Sequence, residues 1–115
     1  MATDRLTEIF ERQAAFTSNF HDATPSGIDE CEELTKNYTI MLIKELTEVV
    51  DELNYKLHAS KRNAINVVNV HEELMDVQKF LIVMMQLWDI DADKFVELFH
   101  TKSTIVEQRY KDKQR

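Results

Sequence analysis

Apolar residues recur every three or four positions through most of this chain, the spacing of helices that bury one stripe. From Asp4 to Phe20 the stripe is Leu6, Ile9, Phe10, Gln13, Phe16 and Phe20, which predicts a first helix. It stops at Asp22-Ala-Thr-Pro-Ser-Gly27, where Pro, Ser and Gly gather. Asp29 followed by Glu32 has capping-box-like spacing and predicts that a second helix opens near Asp29. That helix is expected to reach about Leu57, with an interruption near Asn37. It would turn Leu42, Leu46, Val49, Val50, Leu53 and Leu57 inward and carry Glu45, Glu48 and Glu52 on its other face. The polar run His58-Ala-Ser-Lys-Arg-Asn63 reads as a connection.

A third periodic segment runs from roughly Asn66 to Trp88. Val67, Val68 and Val70 would suit a strand locally, but one short strand has no partner here, and Val70, Leu74, Val77, Leu81 and Met84 continue a helical stripe. Phe80 to Trp88 is apolar nearly all round, which predicts burial on several sides, a second subunit included. Trp88, beside Met84 and Met85, reads as core. Asp91 is placed to cap a fourth helix extending to about Tyr110.

Composition narrows this to an all-α fold. One Gly and one Pro in 115 residues leave little for turns, and evenly spaced short β runs are absent, so the expectation is one domain, a four- to five-helix bundle that dimerises. A net charge of −7 argues against a duplex nucleic-acid face, which needs dense Lys and Arg. The single Cys31 excludes an internal disulfide and a cysteine zinc site, and fits a reducing compartment as an inert, half-buried thiol. No apolar run approaches the ~20 residues of a membrane helix, and the first residues lack a signal-peptide layout, so a cytoplasmic location is expected.

The acids carry the candidate chemistry. Glu45-x-x-Glu48 and Glu73-x-x-Asp76 lie on consecutive predicted helices. Residues three apart on a helix differ by roughly 60° around the axis and ~4.5 Å along it, so each couplet projects from one face. Two such helices packed antiparallel gather four carboxylates, whose repulsion is relieved by a cation, and an all-oxygen site implies Mg²⁺ or Mn²⁺. The bland alternative is a solvated face in which Lys44, Lys56 and Lys79 pair with some of the acids. Yet Glu45, Glu48, Asp51, Glu52, Glu72, Glu73 and Asp76 outnumber those partners.

Around these couplets the chain resembles the all-α NTP pyrophosphatases, a superfamily that includes dimeric dUTPases, phage dCTP/dUTP pyrophosphatases and MazG-like enzymes. Glu45-Leu-Thr-Glu48 and Glu73-Leu-Met-Asp76 match its E-x-x-E and E-x-x-D pattern. The stretch from Glu48 to Lys56 is similar to E-x-x-N-E-x-x-x-(F)-K of the dimeric dUTPase branch, and the run from Glu73 to Met85 resembles its E-x-x-D-x-x-H-F-x-L. Lys102 and Arg109 fall at the ends of a K-x6-R element like that of the phage enzymes. The likeness spans about Leu42 to Tyr110. Two departures bear on base identity: His58 stands where many dimeric dUTPases have Trp, and Lys79 where they have His.

The resemblance implies a Mg²⁺-dependent hydrolase that converts a deoxynucleoside triphosphate to the monophosphate and pyrophosphate, with dUTP or dCTP as the preferred substrate. A broader or purine-selective MazG-like enzyme, dGTP-directed for example, is the alternative within the class. By the same resemblance Glu45, Glu48, Glu73 and Asp76 are metal ligands, Glu48 is also the catalytic base, and Glu52 is a supplementary ligand or an acid behind them. Lys56, Lys102 and Arg109 are the phosphate contacts, with Lys61 and Arg62 as weaker candidates. Gln13 matches a glutamine of the first motif of that branch, and a nucleobase slot would draw on Gln13, Phe16 and Asn19. The rival of another class is a non-catalytic helical interaction protein, with the acids as a solvated face and the Met-rich helix as a docking surface.

Overall fold

The computed structural model describes residues 4–53 and 64–114, and within them every regular element is a helix. There are four: α1 (Arg5–Thr17), α2 (Ile28–Asp51), α3 (Val67–Leu87) and α4 (Ala92–Lys113). Side chains start three of them. Asp4 accepts from the Leu6 amide, Asn66 from the Asn69 amide at 3.2 Å, and Asp91 from the Lys94 amide at 2.8 Å, each satisfying a donor the helix leaves free. The second helix differs from the predicted capping box. Its N-cap is Gly27, without a side-chain bond, so Asp29 falls in the first turn and, with Glu30, acts on the helix dipole. It also passes through Asn37 unbroken, because nothing there removes a backbone donor. It ends at Asp51, with Glu52 as its C-cap, short of the expected Leu57, and residues 54–63 lie outside the described residues.

The third helix ends by a tight reversal. Asp89 adopts φ 61°, the Ile90 amide donates to the Met85 carbonyl at 3.0 Å, and the Asp89 amide donates to the Gln86 carbonyl at 3.1 Å. This pairing is the Schellman arrangement, with Asp in the left-handed position that glycine ordinarily takes. It reverses the chain directly into the Asp91 cap of α4.

Phe10, Ile82 and Ala92 form a small buried core, with Leu6 and Phe95 against it and the Phe10 and Phe95 rings edge to face at 5.7 Å. Polar bonds tie the same region together. Gln86 Nε2 donates to the Phe10 carbonyl at 2.8 Å, Thr24 Oγ1 donates to the Gln86 carbonyl at 2.9 Å, and the buried Cys31 thiol points at the Leu87 carbonyl at 3.2 Å. Between α2 and α3, Trp88 Nε1 donates to Thr35 Oγ1 at 2.9 Å and Thr39 Oγ1 lies 3.7 Å from Met84 Sδ. Tyr38 packs on Phe80 with ring centroids 5.9 Å apart. Rising positions on α2 meet falling positions on α3, so the pair is antiparallel.

Several residues expected inside are outside. Trp88 is 46% exposed, its indole edge held by Thr35 rather than enclosed in core. On α2, Leu46, Val50 and Leu53 are exposed together with Ile40 and Ile43, while Glu45, Glu48 and Glu52 are half-buried. Leu42 and Val49 are half-buried as predicted, so the inward and outward faces of that helix are exchanged only in part. Phe16 and Phe20 of α1 and Phe99, Ile105, Val106 and Tyr110 of α4 are exposed as well. The radius of gyration is 18.0 Å, against about 13 Å for a compact domain of this length. Among the described residues no helix is long and apolar enough to cross a membrane.

Candidate metal centre and adjoining slot

Glu45 projects from α2 towards α3, and Glu73 and Asp76 project from α3 one turn apart. A carboxylate oxygen of each lies within 4.8 Å of the other two. Glu48, one turn beyond Glu45, lies close enough to Glu45 and Glu73 for its carboxylate to act on both. The four acids singled out by spacing therefore converge, although Glu48 enters as a neighbour of the three-oxygen cluster rather than as a member of it.

The cluster is chemically unbalanced. Glu45 Oε2 and Glu73 Oε2 are buried and accept no hydrogen bond. Desolvation pushes the Glu45 carboxyl above the ordinary glutamate range, and its hydrogen bond with Glu48 and the charges of Glu48 and Asp76 push it further, with Lys44 opposing. Glu73 moves the same way, from desolvation first and then from the charge and hydrogen bond of Glu48. Between described residues the ion pair present is Lys94–Glu97 on α4, so no lysine among the described residues closes on these acids. Two buried acceptors without donors, beside a third carboxylate, form a donor set suited to a hard, oxygen-liganded cation.

Glu45 and Asp76 also border a cavity of about 600 Å³ whose walls come from α1, α2 and α3. Phe16, Phe20, Met41, Phe80 and Val83 make it largely apolar, while Gln13, Asn37, Tyr38 and Lys79 supply its polar groups. Gln13 is buried and Phe16 is 56% exposed, so one base-slot candidate forms the inner wall and the other stands at the opening. Asn19 instead turns its amide to the Phe16 carbonyl at 2.9 Å and finishes α1. The Lys79 ammonium lies 6.0 Å above the Phe16 ring.

The remaining candidates are dispersed. Glu52 is the C-cap of α2, one turn past Glu48. Lys56, Lys61 and Arg62 lie outside the described residues. Lys102 borders a different groove with Met85, Phe95 and Phe99, and Arg109 is exposed further along α4, so neither lines the acidic cavity of its own chain. Asn37, Tyr38 and Met41 were not anticipated there. Their signal was present, since Asn37, Met41 and Glu45 recur at i, i+4 and i+8 and extend the acidic face by two turns. No protein-family model, no curated protein and no solved structure matches this chain in sequence or fold.

Proposed function

We propose that the protein is a divalent-cation-dependent nucleoside triphosphate pyrophosphohydrolase acting on a pyrimidine deoxynucleotide. The observation that carries this reading is that Glu45 and Asp76, two members of a carboxylate cluster in which Glu45 and Glu73 each keep a buried oxygen without a donor among the described residues, line the same cavity as an aromatic slot. Tyr38 and Glu45 are two helical turns apart, about 10.5 Å along α2, and Phe80 and Glu73 are similarly spaced on α3. That separation suits an extended nucleotide, base in the slot and phosphates over the acids.

Glu45, Glu73 and Asp76 would hold Mg²⁺ or Mn²⁺, with Glu48 alongside. When bound, the cation offsets phosphate charge and promotes ionisation of water. The chain's own residues do the rest. Phe16, Phe80 and Met41 enclose the base and exclude water from one side of the phosphates. Glu48, which acts on Glu45 and Glu73 from outside the three-oxygen cluster, would take a proton from water attacking phosphorus. Lys79 supplies positive charge beside the slot. The exposed row Ile40, Ile43, Leu46, Val50 and Leu53 is the face on which a second copy would pack, completing a dimeric bundle.

A helical interaction protein would also expose such a row, so the discriminating experiment is enzymatic. Purified protein with Mg²⁺ is expected to release pyrophosphate from dCTP or dUTP faster than from dATP or dGTP. Equal rates for all four would leave a broad pyrophosphohydrolase, and no release from any would leave the interaction reading.

A further inference from the structure

We infer that Tyr38 and His21 set base selection in the slot, Tyr38 presenting a hydrogen-bond acceptor that favours a base bearing an exocyclic amino group over one bearing a carbonyl there. The inference rests on the nucleotide reading above and names the edge it selects. His21 follows α1 directly, and its two ring nitrogens have different partners. Nδ1 lies 2.8 Å from the Asp22 carbonyl oxygen, and Nε2 lies 2.6 Å from the Tyr38 hydroxyl. A carbonyl only accepts, so the Nδ1 side must carry the proton. In the neutral imidazole Nε2 is then a bare lone pair, and the hydroxyl must donate to it.

This commits the one proton of Tyr38. Burial raises the phenol above its usual pKa, which keeps that proton in place. The ring is fixed on two sides, edge-on to His21 at 5.6 Å and tilted on Phe80 at 5.9 Å, so the group does not swing to another partner without giving up both contacts. Tyr38 nevertheless lines the cavity, and with its proton committed to His21 its hydroxyl could offer a ligand only lone-pair density. An amino group at this point is hydrogen-bonded. A carbonyl there meets a second acceptor, and both oxygens are left unsatisfied. Cytosine and uracil differ at this edge while sharing size and shape, so they isolate the effect. Among pyrimidines the slot therefore selects cytosine over uracil.

The test is equilibrium binding of dCMP and dUMP to the full chain with Mg²⁺ present, by calorimetry, which does not depend on turnover. Wild type is expected to bind dCMP about ten-fold more tightly than dUMP, the size of one net hydrogen bond at a partly buried site. Tyr38→Phe keeps the ring and removes the acceptor, and should bring the ratio to about one chiefly by weakening dCMP. His21→Ala frees the hydroxyl proton, and should bring the ratio towards one chiefly by strengthening dUMP. Equal wild-type affinities, or a ratio unchanged in Tyr38→Phe, would overturn the assignment and leave the nucleotide reading standing. Failure of both nucleotides to bind would overturn the nucleotide reading and the assignment with it.

Discussion

Gln86 reaches from α3 to donate its Nε2 to the Phe10 carbonyl of α1 at 2.8 Å, within a largely apolar core. The bond holds the slot's third wall, since the two helices otherwise meet mainly through the small cluster around Phe10 and Ile82. Gln86→Ala should destabilise the fold by about 2 kcal/mol, from the lost bond and the space left behind, as read from denaturant melts. Gln86→Met keeps most of the volume and removes Oε1, which is buried without a partner, so it should cost less than half as much.

Glu48→Gln keeps shape and hydrogen-bonding capacity but cannot take a proton. Pyrophosphate release should fall by about 100-fold or more, with the circular dichroism spectrum unchanged. Normal turnover in this variant would remove Glu48 from the chemistry.

The acids also set a pH dependence. Glu45 and Glu73 hold protons more tightly in the fold than in the unfolded chain, so their protonation favours folding. Metal-free protein should therefore melt at rising temperature as pH falls from neutral into the region just above the ordinary glutamate range. Mg²⁺ should raise the melting temperature at neutral pH and lose that effect over the same interval, because the proton and the cation compete for the same oxygens. A melting temperature that rises with pH in chelator would contradict the assignment of these shifts.

Much of this architecture was legible in the chain. The Asp91 cap begins α4 as read, because a side-chain acceptor before an apolar stripe is a local signal that tertiary structure leaves alone, and α3 begins next to the expected Asn66. The convergence of Glu45, Glu73 and Asp76 was legible from spacing, given two antiparallel helices, whereas Glu48 stands beside that cluster rather than in it. Which face of α2 turns inward was not. Leu46 and Glu45 are adjacent, and periodicity assigns the apolar side to the core on the assumption that the chain supplies its own core. The Tyr38–His21 contact was not legible for a related reason, since His21 is a loop residue that no helical period relates to Tyr38.

The exposed row on α2 makes association measurable. Ile43→Glu with Val50→Glu should shift the protein to the monomer in analytical ultracentrifugation, whereas wild type should sediment as a dimer at micromolar concentration.

The left-handed residue after α3 offers a gain. Asp89 at φ 61° carries a Cβ that glycine lacks, so Asp89→Gly should stabilise the protein by about 1 kcal/mol in thermal melts.

The Thr35–Trp88 hydrogen bond lies at the far end of the α2–α3 pair from the acids and belongs to the same register in which they meet. Helices transmit axial position almost rigidly, and sliding α2 by one turn moves every facing pair by 5.4 Å. A slip of that size exceeds the 4.8 Å within which Glu45, Glu73 and Asp76 assemble. The indole and the hydroxyl thus pair in the one register that also brings the carboxylates together.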